Sequence, residues 1–274
     1  MAEAKAMHDL IASTAVSIES VGVGADRRRD GGPGVVMQEL LQGDEWAVDT
    51  VSRNGEHKVV ALWRYSKGPA NGAPFVNFFD ELRPVSGPLE RSLIAYAKAA
   101  LDALAWRWGP CHIELKATAD GPRLVEVNAG RWNGVDFKLL VDIAVGYNAY
   151  DAVVSAYLDE AGAADDYFGS LPDAPEELRC HARLVKLVSS ATGRLLAVDG
   201  IDEVDALESC VYHTLHEQQL GAHVARTVDL ASCAGFVHLL HGDADVLQSD
   251  YLRLQSLQRT MFVVDDDMAP DMTR

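Results

Sequence analysis

Apolar positions recur along this chain in two periods, and the changes of period mark out its elements. From residue 2 to 20, Ala4, Met7, Ile11, Ala15 and Ile18 recur at helical spacing. The Gly-rich stretch 22–34 reads as a loop. Residues 35–42 and 45–67 then read as strands, the second segment folded about an Asn54-Gly55 hairpin turn. Residues 68–79 hold Gly68, Pro69, Gly72 and Pro74 and read as a loop. Ser86 to Trp108 is the clearest helix. Pro88 lies in its first turn, Leu89, Leu93, Ala97, Leu101, Leu104 and Trp108 form its stripe, and Gly109 ends it.

A hairpin follows over 112–134, then helical patterns at 137–145 and 148–160. Residues 162–177 are linker-like. From 181 onward the pattern alternates, giving strands at 181–190, 193–200, 209–218, 222–229 and 233–243. A last helix at 250–261 precedes an acidic tail. The mixture predicts an α+β fold in which antiparallel hairpins predominate, organised as a region 1–165 and a strand-rich C-terminal subdomain 166–274.

The hairpin sets carboxylates where a sheet prefers hydrocarbon. On its first strand His112, Glu114 and Lys116 share a face; on its second, Leu124, Glu126 and Asn128 do. A three-residue loop with Gly121 in the left-handed position pairs Thr118 with Pro122, and so sets Glu114 opposite Glu126 and His112 opposite Asn128. Like charges directly opposite are destabilising, and a shared proton or a divalent cation would relieve them. Two carboxylates and an amide oxygen suit Mg²⁺, which takes oxygen ligands. Spacing alone leaves a second reading open, a solvated face with both glutamates in water.

Composition narrows the partners. The 274 residues are 48% hydrophobic and 24% charged, with a formal net charge of −17. That charge argues against nucleic acid and against an anionic membrane as the main partner. A phosphate ligand needs only a few local cations and stays open. The four cysteines are far apart, without a CxxC pair, and read as reduced thiols of a cytoplasmic protein. The first twenty residues lack a signal-peptide pattern, and no apolar run reaches membrane-spanning length.

The segment "HIELK…LVEVNAGRWNG" resembles the metal-binding strands of the ATP-grasp superfamily. "VVMQELLQGDEWAVDTVSRNGEHKV" is similar to that family's adenine- and ribose-holding strands, and "RYSKGPANG" to its lysine-bearing segment near the phosphates. "GYNAYDAVVSAYL" and the strand-rich end resemble members that ligate amino acids. The likeness covers roughly residues 30–270, with three motifs in family order. It implies the C-terminal portion of an ATP-grasp fold, an antiparallel sheet with flanking helices, residues 1–165 forming its nucleotide- and metal-binding region. It implies that Glu114, Glu126 and Asn128 bind Mg²⁺ (or Mn²⁺), and that Gln38, Glu39 and Leu41 lie on the adenine hinge. Glu45 would accept the ribose hydroxyls, and Lys67 would neutralise the terminal phosphates of ATP. Arg131 would stabilise the transferred phosphoryl group, although Gly130 sets it one residue further from Asn128 than the family spacing. His112 reads as a neighbour of the site rather than a catalyst.

The family usually supplies an N-terminal domain and a lysine-bearing strand before this point, and residues 1–30 match neither. The chain therefore reads as N-terminally truncated, with little turnover expected of it alone, and as a possible homo-oligomer or partner of a missing half. The leading reading is an ATP- and Mg²⁺-dependent ligase joining a small-molecule carboxylate, an amino acid, to an amine or thiol. The alternative is a non-catalytic nucleotide- and metal-binding fragment, or half of a split enzyme.

Overall fold

The structure, a computed structural model, describes residues 39–132, 137–215 and 220–265. The chain divides into two compact units, Met1–Leu41 and Gln42–Arg274. The helix expected at 2–20, the loop at 22–34 and Gln38 lie outside the described residues. Of the strand expected at 35–42, the described residues 39–42 form no strand.

The second unit is built on an eight-stranded antiparallel sheet. Five strands come from the first half: β1 (Asp44–Arg53), β2 (Glu56–Ala70), β3 (Ala73–Leu82), β4 (Gly109–Thr118) and β5 (Gly121–Ala129). Three more, β6 (His181–Lys186), β8 (Cys210–Leu215) and β10 (Gly235–His241), extend the same sheet in the order β5-β4-β1-β2-β3-β6-β10-β8. A small sheet holds β7 (Gly193–Val198), β9 (His223–Val224) and β11 (Phe262–Asp265). This is the α+β architecture the pattern implied, an antiparallel sheet with flanking helices.

Three apolar layers hold it. Helix α1 (Pro88–Ala103) lays Leu93, Ile94, Ala97 and Leu101 on Val48, Leu62 and Ile113 of one sheet face. On the opposite face, the π-turn Phe137–Val141 runs into α2 (Asp142–Val145) and α3 (Ala149–Leu158), which cover Ala47, Trp63 and Leu82. That layer stops short of Glu45, Lys67 and Glu114 on the same face, and the uncovered part is the site described below. Beyond it, α4 (Tyr167–Ser170) and α5 (Ile201–Asp205) are short, and α6 (Ala244–Gln258) backs β6 and β10 through Leu247, Tyr251 and Leu254.

Several expectations need correction. Residues 68–79 are not a loop, because β2 and β3 close on a second Asn-Gly turn. Asn71 and Gly72 have φ 52° and 86°, much as Asn54 and Gly55 have 52° and 89°. Positive φ at both central positions makes these turns suit the twist of the flanking strands; Pro69 and Pro74 masked the second one. Helix α1 ends at Ala103, before Leu104 and Trp108, because Ala105 enters the left-handed region at φ 51° and Trp106 N–H bonds back to Leu101 O at 2.9 Å. The last helix starts earlier, capped by Asp243, whose side chain accepts from Asp245 N–H. Part of the expected acidic tail is β11.

Residues 162–177 are no free linker. Asp166 accepts both Arg53 guanidinium nitrogens at 2.6 and 3.0 Å, and Phe168 is fully buried beneath Arg53. Asp173 O accepts Val59 N–H at 2.9 Å, which ties the segment to β2.

Candidate active site

The β4–β5 register sets Glu114 opposite Glu126 and His112 opposite Asn128, as the spacing predicted. The route differs. The turn closes Thr118 on Gly121 rather than Pro122, and a bulge at Val125 restores the register. Leu124 therefore pairs with Leu115 and does not share a face with Glu126. Gly121 does take the left-handed conformation, at φ 98°.

Both glutamates have found protein partners. His112 Nε2 lies 3.3 Å from Glu114 Oε1 and 3.2 Å from the Tyr65 hydroxyl, while its Nδ1 lies 2.6 Å from Asp49 Oδ1. Burial alone would depress the imidazolium. Asp49 outweighs it, with Glu114 adding to the pull, and lifts the ring to about 10. Burial pushes the Asp49 carboxyl up in turn. The shared proton belongs on the imidazole, because Asp49 Oδ2 also accepts Trp63 Nε1–H at 2.9 Å and an ionised acceptor makes both bonds stronger. On β5, Asn128 Nδ2 donates to Glu126 Oε1 at 2.6 Å. The repulsion expected between the carboxylates is thus moderated by a neighbouring imidazolium and an amide.

Arg131 does reach this group. Gly130 turns the chain at φ 83° as β5 ends, and Arg131 donates to Asn128 Oδ1 at 2.7 Å. The longer spacing is absorbed by that glycine. Glu45 and Lys67 are brought together and pair with each other, and Lys116 bonds the second oxygen of Glu45 at 2.9 Å. Burial pushes the Glu45 carboxyl up, but hydrogen bonds from the two ammonium groups outweigh it and hold it below the usual carboxylate range. Glu39 and Leu41 fall in irregular chain of the first unit, Glu39 exposed and Leu41 half-buried.

The donor set fits a hard cation in one specific way. Among the described residues, no group of three or more His, Cys, Asp or Glu is arranged to hold a metal. Two facing carboxylates and one amide oxygen are too few for a closed protein cage. They match Mg²⁺, which is held by one or two carboxylates while waters and substrate phosphates fill its remaining positions.

No family model matches the chain. It is 23% identical over 236 residues to the dapdiamide A synthase of Enterobacter agglomerans, covering 83% of this chain and 52% of that protein. The L-amino acid ligase of Bacillus licheniformis superposes with a TM-score of 0.66 at 19% identity, over 83% of this chain and 55% of that one. An N5-carboxyaminoimidazole ribonucleotide synthetase, solved as its ADP complex, gives 0.50 at 19% identity over 79% and 50%. The chain carries the ATP-grasp fold. It spans about half the length of the relatives it matches.

Sequence reasoning missed Asp49, Tyr65, Asp80 and Lys186 on the site face, and gave Lys116, on the Glu114 face, no role. Asp49 was within reach, since Glu45, Ala47 and Asp49 alternate along β1. Lys186 and Asp80 were not, because their ion pair joins strands far apart in the chain. A Ser–His–Asp series elsewhere is not a nucleophilic site. Ser52 Oγ lies 2.7 Å from His57 Nδ1, but Ser52 has no exposed surface for a substrate to reach.

Proposed function

We propose that this protein is an ATP- and Mg²⁺-dependent ligase that activates a carboxylate as an acyl phosphate for attack by an amine or thiol, with an amino acid among its substrates. The observation that carries the reading is the facing pair Glu114 and Glu126, with Asn128 and Arg131 bonded beside it, on the uncovered face of an ATP-grasp sheet. The names of the relatives, an amino acid ligase, a synthase and a synthetase, support the reaction class.

Glu114, Glu126 and Asn128 would hold the cation, which when bound supplies charge neutralisation at the nucleotide phosphates. Arg131 rests on Asn128 and releases its guanidinium toward the transferred phosphoryl group. Lys67, held by Glu45, presents its ammonium to the terminal phosphates. The His112 imidazolium orients Glu114 through Nε2 and is itself fixed by Asp49. A substrate carboxylate oxygen attacks the γ-phosphorus, the bond to ADP breaks, and an acyl phosphate forms. The amine then attacks the acyl carbon; inorganic phosphate leaves and the amine proton passes to solvent.

The test is positional isotope exchange with ATP labelled at the β–γ bridge, on protein expressed from its full reading frame. Scrambling that requires both Mg²⁺ and a carboxylate substrate is the expected result. ATP consumption without carboxylate-dependent scrambling would contradict the acyl-phosphate route.

A further inference from the structure

A cavity of about 460 Å³ opens beside Glu114 and runs away from the carboxylate pair across β2, β3, β6, β10 and β8. The strand register orders its floor. Tyr65 pairs with Asp80, Asp80 with Leu184, Leu184 with His238 and His238 with Tyr212. A second row begins with Lys67 opposite Asn77 and continues as Lys186 opposite Phe236 and Phe236 opposite Thr214. Moving out from Glu114, the lining passes from the Lys67 cation, through a polar middle, to an aromatic far end.

The polar middle is a chain of bonds along one wall. Lys186 Nζ bonds Asp80 Oδ2, and Asp80 Oδ1 accepts Asn77 Nδ2–H at 2.8 Å. Lys186 and Asp80 are both buried. The chain ends on Asn77 Oδ1, a buried acceptor that no donor reaches among the described residues. A buried acceptor left unmet is destabilising, and one that lines a cavity calls for an N–H from whatever fills it. The far end offers Phe236, Tyr212 and Leu230, the last two well exposed at 49% and 56%, with the Asp229 carboxylate, which accepts from Ser232, beside Leu230. Cavities of this size that combine apolar walls with a few fixed polar groups are the usual form of small-ligand sites.

We propose that this cavity selects the carboxylate substrate, an α-amino acid with an apolar or aromatic side chain. Its ammonium donates to Asn77 Oδ1 beside the Asp80 carboxylate. Its side chain packs on Phe236, Tyr212 and Leu230, and its carboxylate lies toward Lys67 and Glu114. Lys186 and Asn77 hold the Asp80 carboxylate in place, so the middle of the cavity presents an acceptor pair to a cation. Glutamate would carry a second carboxylate into this end, beside Asp229, and lose its hydration there. The role given to the carboxylate rests on the ligase reading; the amino-acid site itself does not.

The test is calorimetric titration of phenylalanine, leucine, glutamate, lysine and N-acetylphenylalanine into the full chain, with and without Mg²⁺ and a non-hydrolysable ATP analogue. Phenylalanine and leucine should bind at least tenfold tighter than glutamate, and no weaker than lysine. N-acetylation should weaken phenylalanine at least tenfold, because it removes the ammonium. Asn77→Ala and Phe236→Ala should each weaken phenylalanine about tenfold, with binding of the ATP analogue unchanged. Equal binding of N-acetylphenylalanine, a preference for charged side chains, or no amino-acid binding with the nucleotide bound would overturn the proposal. Amino-acid selectivity without any nucleotide binding would uphold the cavity and sink the ligase reading instead.

Discussion

The two wings of the site face differ in how far apart in the chain their partners lie. On the β5–β4 wing, charges are met by near neighbours: Glu126 by Asn128 and Glu114 by His112, each two residues away on the same strand. On the β3–β6 wing, Asp80 is met by Lys186, 106 residues away. The near wing is partly exposed, with Glu126 in contact with solvent, whereas the Asp80–Lys186 pair is buried. One wing is therefore easily altered. The other is a fixed wall, whose charges are tolerable only together.

Breaking the buried wall should have the largest effect. Lys186→Met leaves Asp80 as an unpaired buried carboxylate and should destabilise the fold by about 3–5 kcal/mol in urea unfolding. The double change Asp80→Leu with Lys186→Met should recover most of that loss. A Lys186→Met variant of undiminished stability would show that the two wings do not differ as described.

On the exposed wing, Glu126→Gln should change stability by less than about 1 kcal/mol. It should weaken Mg²⁺-supported nucleotide binding at least tenfold, measured by calorimetry. A loss of folding on this change would place Glu126 with the wall rather than with the adaptable wing.

A third contrast concerns the Arg53–Asp166 pair that fastens residues 162–177 to β1 and β2. The Arg53 guanidinium, with the N–H groups of Gly162 and Gly169, holds the Asp166 carboxyl well below the usual carboxylate range. A depressed folded-state value stabilises the protein above the unfolded value of about 4 and loses that contribution as pH falls below it. The stability difference between wild type and Asp166→Asn should therefore be full at pH 7 and shrink steadily below about pH 4. A difference independent of pH would mean that the carboxylate charge contributes nothing.

The smallest effects belong to the two Asn-Gly turns. Gly55→Ala and Gly72→Ala meet no neighbouring atom within 4 Å, so only the positive φ resists the new methyl. Each should cost about 1 kcal/mol in thermal unfolding. A much larger penalty at Gly72 would indicate that the β2–β3 tip is held by more than its turn.

The same contrast explains what was legible in the sequence. The fold class and the Glu114–Glu126 register follow from alternation and turn residues, which are local. Even there the bulge at Val125 was invisible, because the tighter turn and the bulge each shift the register by one residue and the two shifts cancel at Glu126. The β2–β3 hairpin was hidden by prolines flanking an Asn-Gly pair, although both prolines sit near the hairpin tip, where the ladder tolerates them. Phe168 looked like part of a linker because its burial depends on Arg53 and Lys58, more than a hundred positions away. The Lys186–Asp80–Asn77 chain depends on β6 pairing with β3, and no period in either strand specifies that pairing.

The central claim is that Glu114 and Glu126 form the cation end of a nucleotide site. Its most direct test is the electron paramagnetic resonance of Mn²⁺, used in place of Mg²⁺, with the full chain and ADP. The account predicts a protein-bound Mn²⁺ signal that requires ADP, since the two carboxylates and one amide need phosphate oxygens to complete the shell, and that is abolished by Glu126→Gln. A bound signal that forms without nucleotide, or that survives Glu126→Gln unchanged, would contradict it.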